Sequence, residues 1–345
     1  MKLARSLPLV SALLLSTAGL PAHAAEGVIA SIKPVHSIVS AIMQGAGEPA
    51  LLVKGAASPH SYSMRPSEAA SLESAKIVFW VGPELEQFLE KPLETLAQGA
   101  RIVELAHAPG LKEMELREGG DFEEHRHEAG EEGHGDEDHA AHEGHHDHEA
   151  ESGHEEHAEA GREDEHHGHD HGGIDMHLWL DPENARAMAN RIAGVLAEAD
   201  PANSALYRAN LAEFETRLDN LIAETDERLA AVKGRPFIVF HDAYQYYESR
   251  FGISAAGSIT VSPESIPGAR RVGEIRDKVE ELGAVCVFSE PQFEPKLVEV
   301  VTEGTEATAG VLDPLGASLE DGPDLYFELI DNMTASLVDC LSGQT

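Results

Sequence analysis

Short apolar, β-branched runs alternate with longer amphipathic stretches along most of this chain, and that alternation constrains the fold more than any other feature. Residues 27–32, 76–82, 101–105, 237–240, 284–288 and 309–312 each read as a buried strand. Runs such as Ile77-Val78-Phe79-Trp80-Val81 are apolar at successive positions, so both faces of their sheet are covered, as in parallel sheets. Helical patterns fill the gaps, at 33–43, 83–96, 183–199, 267–282, 295–303 and 324–341. The expected fold is therefore α/β, with helices flanking parallel sheets. At 345 residues there is enough chain for two such lobes with real cores.

One helix stands out by length. From Asp200-Pro201 the apolar positions Leu206, Leu211, Phe214, Leu218, Leu221, Ile222, Leu229 and Val232 keep helical spacing until Gly234 and Pro236 stop them. A helix over 201–233 would be about 48 Å long, long enough to lie across both lobes. The expected organisation is a signal at 1–24, a first lobe at 25–182 with a loop at 121–171, a helix pair at 183–233 and a second lobe at 234–345.

The start of the chain reads as a secretory signal: Lys2 and Arg5, an apolar stretch at 7–20, then Ala22-His23-Ala24 as a small-x-small cleavage site. That stretch is too short to span a bilayer, and no cysteine lies near it for lipid attachment. The expectation is a monomer exported to a Gram-negative periplasm without a direct membrane anchor. The two cysteines, Cys286 and Cys340, fit that oxidising compartment as a disulfide, against the alternative of two buried thiols. Closing a loop of that length contributes about 4 kcal/mol in the chain-entropy view.

A net charge of −37 excludes nucleic acid as a partner and suits cations. About half of it lies at 121–171, where 20 acidic residues meet 2 basic ones and 14 of the 20 histidines. With almost no apolar residues, this tract cannot bury enough surface to offset its conformational entropy and is expected to be disordered without ligand. His125 and His127, His145, His146 and His148, and His166, His167, His169 and His171 stand beside carboxylates. They are an accessory ligand set for zinc, copper or nickel, weak and of low geometric selectivity. A solvated acidic linker, the plain alternative, would not need histidines.

Three histidines outside the tract stand at loop or strand-end positions. His60 lies in Gly55-Ala-Ala-Ser-Pro-His-Ser-Tyr, a loop in which Pro59 restricts the backbone and Ser67 is placed to cap a following helix. His177 lies in Met176-His-Leu-Trp-Leu-Asp-Pro, which reads as a short buried strand ending at Asp181-Pro182. His241 ends the strand 237–240, and in open parallel sheets ligands bind outside the carboxyl ends of strands. Any one of these alone is more often a hydrogen-bonded core residue than a ligand. Three neutral imidazoles with one position left for carboxylate or water describe a zinc site, and Asp313 also follows a strand. His36 reads as a polar or capping residue and His107 as surface, and neither joins the set.

These three motifs, with Phe79-Trp-Val-Gly-Pro-Glu-Leu-Glu86, resemble the ligand-bearing motifs of the metal-binding proteins of cluster A-I ABC importers, most closely their zinc-specific ZnuA-type branch. The resemblance covers the chain from about Gly27 to its end. It implies two lobes joined by one rigid helix, with Zn2+ between them on His60 and His177 from the first lobe and His241 from the second. Asp313 matches the fourth ligand of manganese-binding relatives, whereas in zinc-type members water can complete the tetrahedron. Some zinc members carry a glutamate just before the first histidine, where this chain has Pro59. A histidine-rich insertion before the second ligand and a bridged cysteine pair in the second lobe belong to the zinc branch.

The expected function is capture of Zn2+ in the periplasm and delivery to the membrane permease of an ABC importer, without catalysis. Imidazole donors and low coordination number favour zinc over manganese. A manganese-binding relative is one alternative, and a periplasmic zinc buffer or chaperone working through the tract is another. A zinc hydrolase is the rival from another class, but no histidine here sits in a catalytic motif such as H-E-x-x-H.

Overall fold

Two four-stranded sheets, parallel throughout, carry the structure, a computed structural model that describes residues 26–117, 173–260, 267–283 and 286–343. The expected signal at 1–24 and the histidine tract at 121–171, with every histidine named in it, lie outside the described residues.

The first sheet has the order β2-β1-β3-β4, from β1 (Val28–Ala30), β2 (Ala50–Leu51), β3 (Ile77–Trp80) and β4 (Arg101–Glu104). Three helices accompany it: α1 (Lys33–Met43), α2 (Pro66–Glu73) and α3 (Gln87–Thr95). Next come α4 (Pro182–Ala199) and α5 (Ser204–Leu229). The second sheet has the order β6-β5-β7-β8, from β5 (Phe237–His241), β6 (Gly257–Thr260), β7 (Cys286–Ser289) and β8 (Thr308–Val311). Its helices are α6 (Gln245–Phe251), α7 (Ala269–Leu282), α8 (Lys296–Thr302) and α9 (Leu325–Ser342). Among the described residues no helix is long and apolar enough to cross a membrane.

Strand alternation explains the layering. Ile77 and Phe79 enter the large central core, while Val78 and Trp80 point the other way, into a core shared with Leu89 and Leu93 of α3. In the second sheet Phe237 and Val239 face the central core, and Ile238 and Phe240 meet Ile275 and Val279 of α7. Both faces are covered at the centre of each sheet, so β3 and residues 237–240 of β5 are apolar at every position, whereas the edge strand β4 carries Arg101 and Glu104. The expected α/β fold of two parallel sheets with one long helix is what the chain adopts.

Local details differ from the sequence expectation. The long helix begins with a 3-10 turn, Pro201–Asn203, and its α-helical part ends at Leu229. The Asp200 carboxylate accepts from Asn203 Nδ2 and Tyr207 OH, which ties that first turn down. Ser67 does not cap α2. Pro66 takes the first helical position, and Glu68 reaches back to accept from the Arg65 amide at 2.7 Å. The run around His177 is not a strand: Leu178–Leu180 is a 3-10 helix, and Asp181 caps α4 by accepting from the Glu183 amide. An apolar run buried on all sides suits either geometry, and here the turn follows directly on the Asp175 carboxylate's hydrogen bond from the His177 amide.

Cys286 of β7 and Cys340 of α9 form a disulfide, with their Cα atoms 6.1 Å apart. It ties the last helix to the second sheet. α9 also packs on α1 and α5, and the Tyr326 amide donates to Ser37 Oγ. The last helix thus spans both lobes.

Candidate metal centre

His60, His177 and His241 meet between the two sheets, each delivered by a different local device. Pro59–Ser61 forms a 3-10 turn in which Ser58 Oγ accepts from the His60 amide. Asp175 Oδ1 accepts from both the amide and Nδ1 of His177, at 3.0 and 2.7 Å, closing an Asx-type turn that sets backbone and ring together. His241 is the last residue of β5, and its Nδ1 donates to Glu290 Oε1 at 2.7 Å. Asp175 and Glu290 are fully buried, or nearly so.

These contacts set the tautomers. With Nδ1–H given to a carboxylate, Nε2 of both His177 and His241 carries its lone pair into the space between the rings. Nε2 of His177 lies 3.3 Å from Nε2 of His60 and 3.3 Å from Nε2 of His241. One ring nitrogen from each of the three lies within 4.8 Å of the other two. Two lone pairs facing each other at that distance repel unless a cation stands between them. Tetrahedral zinc with Zn–N bonds of about 2.0–2.1 Å requires nitrogens about 3.3–3.4 Å apart.

The cavity they enclose is about 10 Å³ and is walled by Pro59, Trp179, Phe293, Pro314 and Leu315. It accepts one ion or one water-sized body and little else. Burial beside two other imidazoles pushes the His60 pKa well below its ordinary value. Burial would depress His241 as well, but the Glu290 carboxylate outweighs it and holds that pKa above the ordinary value.

Asp313 is not part of this cluster. Its carboxylate accepts from the amides of Leu315, Gly316 and Ala317, at 3.1, 3.0 and 2.6 Å, and from Gln292 Nε2 at 2.9 Å. It organises the loop that follows β8, whose Pro314 and Leu315 form one wall of the cavity. His36 is buried in α1 with Nε2 against Pro49 O, and His107 is exposed beside Glu104; neither approaches the centre. Sequence reasoning missed Asp175 and Glu290. Asp175 left a signal, a carboxylate two residues before a histidine, whereas Glu290 is 49 residues from its partner and left none.

A family model described as the periplasmic zinc-uptake complex component A matches residues 28–340. The chain is 54% identical over 343 residues to the high-affinity zinc uptake system protein ZnuA of Brucella suis biovar 1 (strain 1330), covering 99% of this chain and all of that one. It is 40% identical over 337 residues to the ZnuA of Paracoccus denitrificans (strain Pd 1222), covering 97% and 98% of the two chains. Among solved structures, a zinc-bound deletion mutant of ZnuA shares the fold with a TM-score of 0.67, at 23% identity over 91% of this chain and 96% of that one. The periplasmic zinc-binding protein TroA of Treponema pallidum does so with a TM-score of 0.69, at 16% identity over 91% and 98%. The chain therefore belongs to the ZnuA family of periplasmic zinc-uptake components.

Proposed function

We propose that this chain captures Zn2+ in the periplasm on His60, His177 and His241 and delivers it to the membrane permease of an ABC-type zinc importer. The spacing of the three imidazoles carries this reading, because two Nε2–Nε2 separations of 3.3 Å match those of a tetrahedral zinc ion. The carboxylates behind His177 and His241 raise the basicity of these ligands and hold the rings in place. Family membership supports the transport role. The fourth position is read as water, since Asp313 is occupied by its own loop.

The centre favours carriage over hydrolysis. Asp175 and Glu290 each accept a hydrogen bond from Nδ1–H of a ligand histidine and are not free to act as a general base. Calorimetric zinc titration against a competing chelator tests the reading. One tight site should survive deletion of residues 121–171 and disappear in His60→Ala, His177→Ala and His241→Ala. Loss of all tight binding with residues 121–171 would move the function to the tract and make the protein a buffer.

A further inference from the structure

Residues 112–117 reach across to the second lobe, and Arg117 anchors them there. The Arg117 guanidinium sits between two buried carboxylates of that lobe. Its Nε donates to Asp242 Oδ2 at 2.9 Å and Nη1 to Glu248 Oε2 at 2.8 Å. Its Nη2 donates to Glu248 Oε1 at 3.0 Å and also to Asp242 Oδ1. The side chains of Asp242 and Glu248 are 4% and 5% exposed, so this one cation balances two charges held away from water.

Both ends of this contact lead to the metal centre. Asp242 directly follows His241 and opens the turn into α6, in which the Ala243 amide donates to His241 O. On the other side, residues 114–116 pair with 173–175 through Leu116 N to Gly173 O and Asp175 N to Met114 O. Asp175 then orients His177. The α6 helix holds the same pair of segments a second time. Tyr246 OH accepts from the Met114 amide and donates to Asp175 O, and Gln245 Nε2 donates to Glu115 O. One ligand histidine of each lobe is thus mounted on a shared inter-lobe joint closed by Arg117.

We infer that Arg117 is a positioning residue for zinc retention, clasping the turn behind His241 to the segment that carries Asp175 and His177. Separating the His177 and His241 nitrogens breaks the zinc site, and this joint resists that separation without touching the ion. The inference rests on the zinc-capture reading above.

The test compares the intact protein with Arg117→Lys and the triple variant Arg117→Ala/Asp242→Asn/Glu248→Gln. Zinc dissociation is followed by chelator competition, and metal-free thermal unfolding is recorded for each. Arg117→Lys keeps the positive charge but loses the planar fork. The triple variant removes the clasp without stranding buried charge. Both should fold and release zinc faster than the parent, the triple variant by about tenfold. Metal-free unfolding of the triple variant should stay near that of the parent. Parent-like release from both variants overturns the clasp and leaves Arg117 a charge-balancing residue only. A parent protein with no tight zinc site overturns the capture reading and the clasp together.

Discussion

At the residue scale, the proposed zinc centre rests on the carboxylates that orient His177 and His241 as well as on the histidines themselves. Asp175→Asn and Glu290→Gln each leave a ring with a weaker acceptor behind it, so each should weaken zinc binding by about 10–100-fold, as competition titration would show. Asp313→Ala should act differently. It removes acceptors for three loop amides, costing about 2 kcal/mol of stability, while the tight zinc site persists; loss of that site would make Asp313 a ligand. Zinc must displace protons from the imidazoles, so affinity should fall as pH drops from about 7.5 to 5.5. Away from the centre, burial raises the Glu86 pKa to about 7, although the amides of Val81 and Gly82 donate to it. A carboxyl group raised in this way binds more protons folded than unfolded. Its contribution is complete below the unfolded value and is lost as pH rises through about 4.5 to 7, up to about 3 kcal/mol. Glu86→Gln should remove that part of the pH slope of metal-free denaturant unfolding.

At the scale of elements, strands with both faces covered were the most legible, because apolar residues at every position leave few alternatives. The short elements were not. The two-residue β2 and the seven-residue α6 have no periodic signature long enough to read, and β6, Gly-Ser-Ile-Thr, lacks the apolar run that marks a covered strand. Packing also shaped single positions: a Cβ on Gly310 of β8 would come within 2.6 Å of two atoms of the buried Phe288 ring, so only glycine lets that ring lie over the strand. The disulfide between β7 and α9 ties the final helix to the second sheet. Replacing both cysteines with alanine should cost about 2–5 kcal/mol of stability. The zinc affinity of the variant should match the parent's, because neither cysteine borders the cavity.

At the scale of the molecule, the lobes are tied around the centre by several contacts besides Arg117. Lys33 of α1 donates to Leu319 O at 2.7 Å and pairs with Asp321. Arg250 of α6 forks onto Asp181 at the start of α4, and Trp179 Nε1 donates to Pro314 O. Zinc bound as proposed, between the two lobes, would couple the ion to the whole fold. Zinc at about a thousand times its dissociation constant should add about 4 kcal/mol of stability. A thermal shift of that origin should be present in the parent and absent in His177→Ala; a shift retained in the variant would place the stabilising ion elsewhere.

Local chemistry alone determined the fold class, the long helix and the three histidines, because strand and helix periodicity and imidazole donors are written in neighbouring residues. Packing decided the rest. His60 and His177 are 117 residues apart in the chain, His241 and Glu290 are 49 apart, and Arg117 and Asp242 are 125 apart. No local pattern encodes which nitrogen of a ring points inward, or that Asp313 turns to its own loop while Glu290 turns to a histidine. Those choices follow from how two separately read sheets face each other, and only the folded chain brings them together.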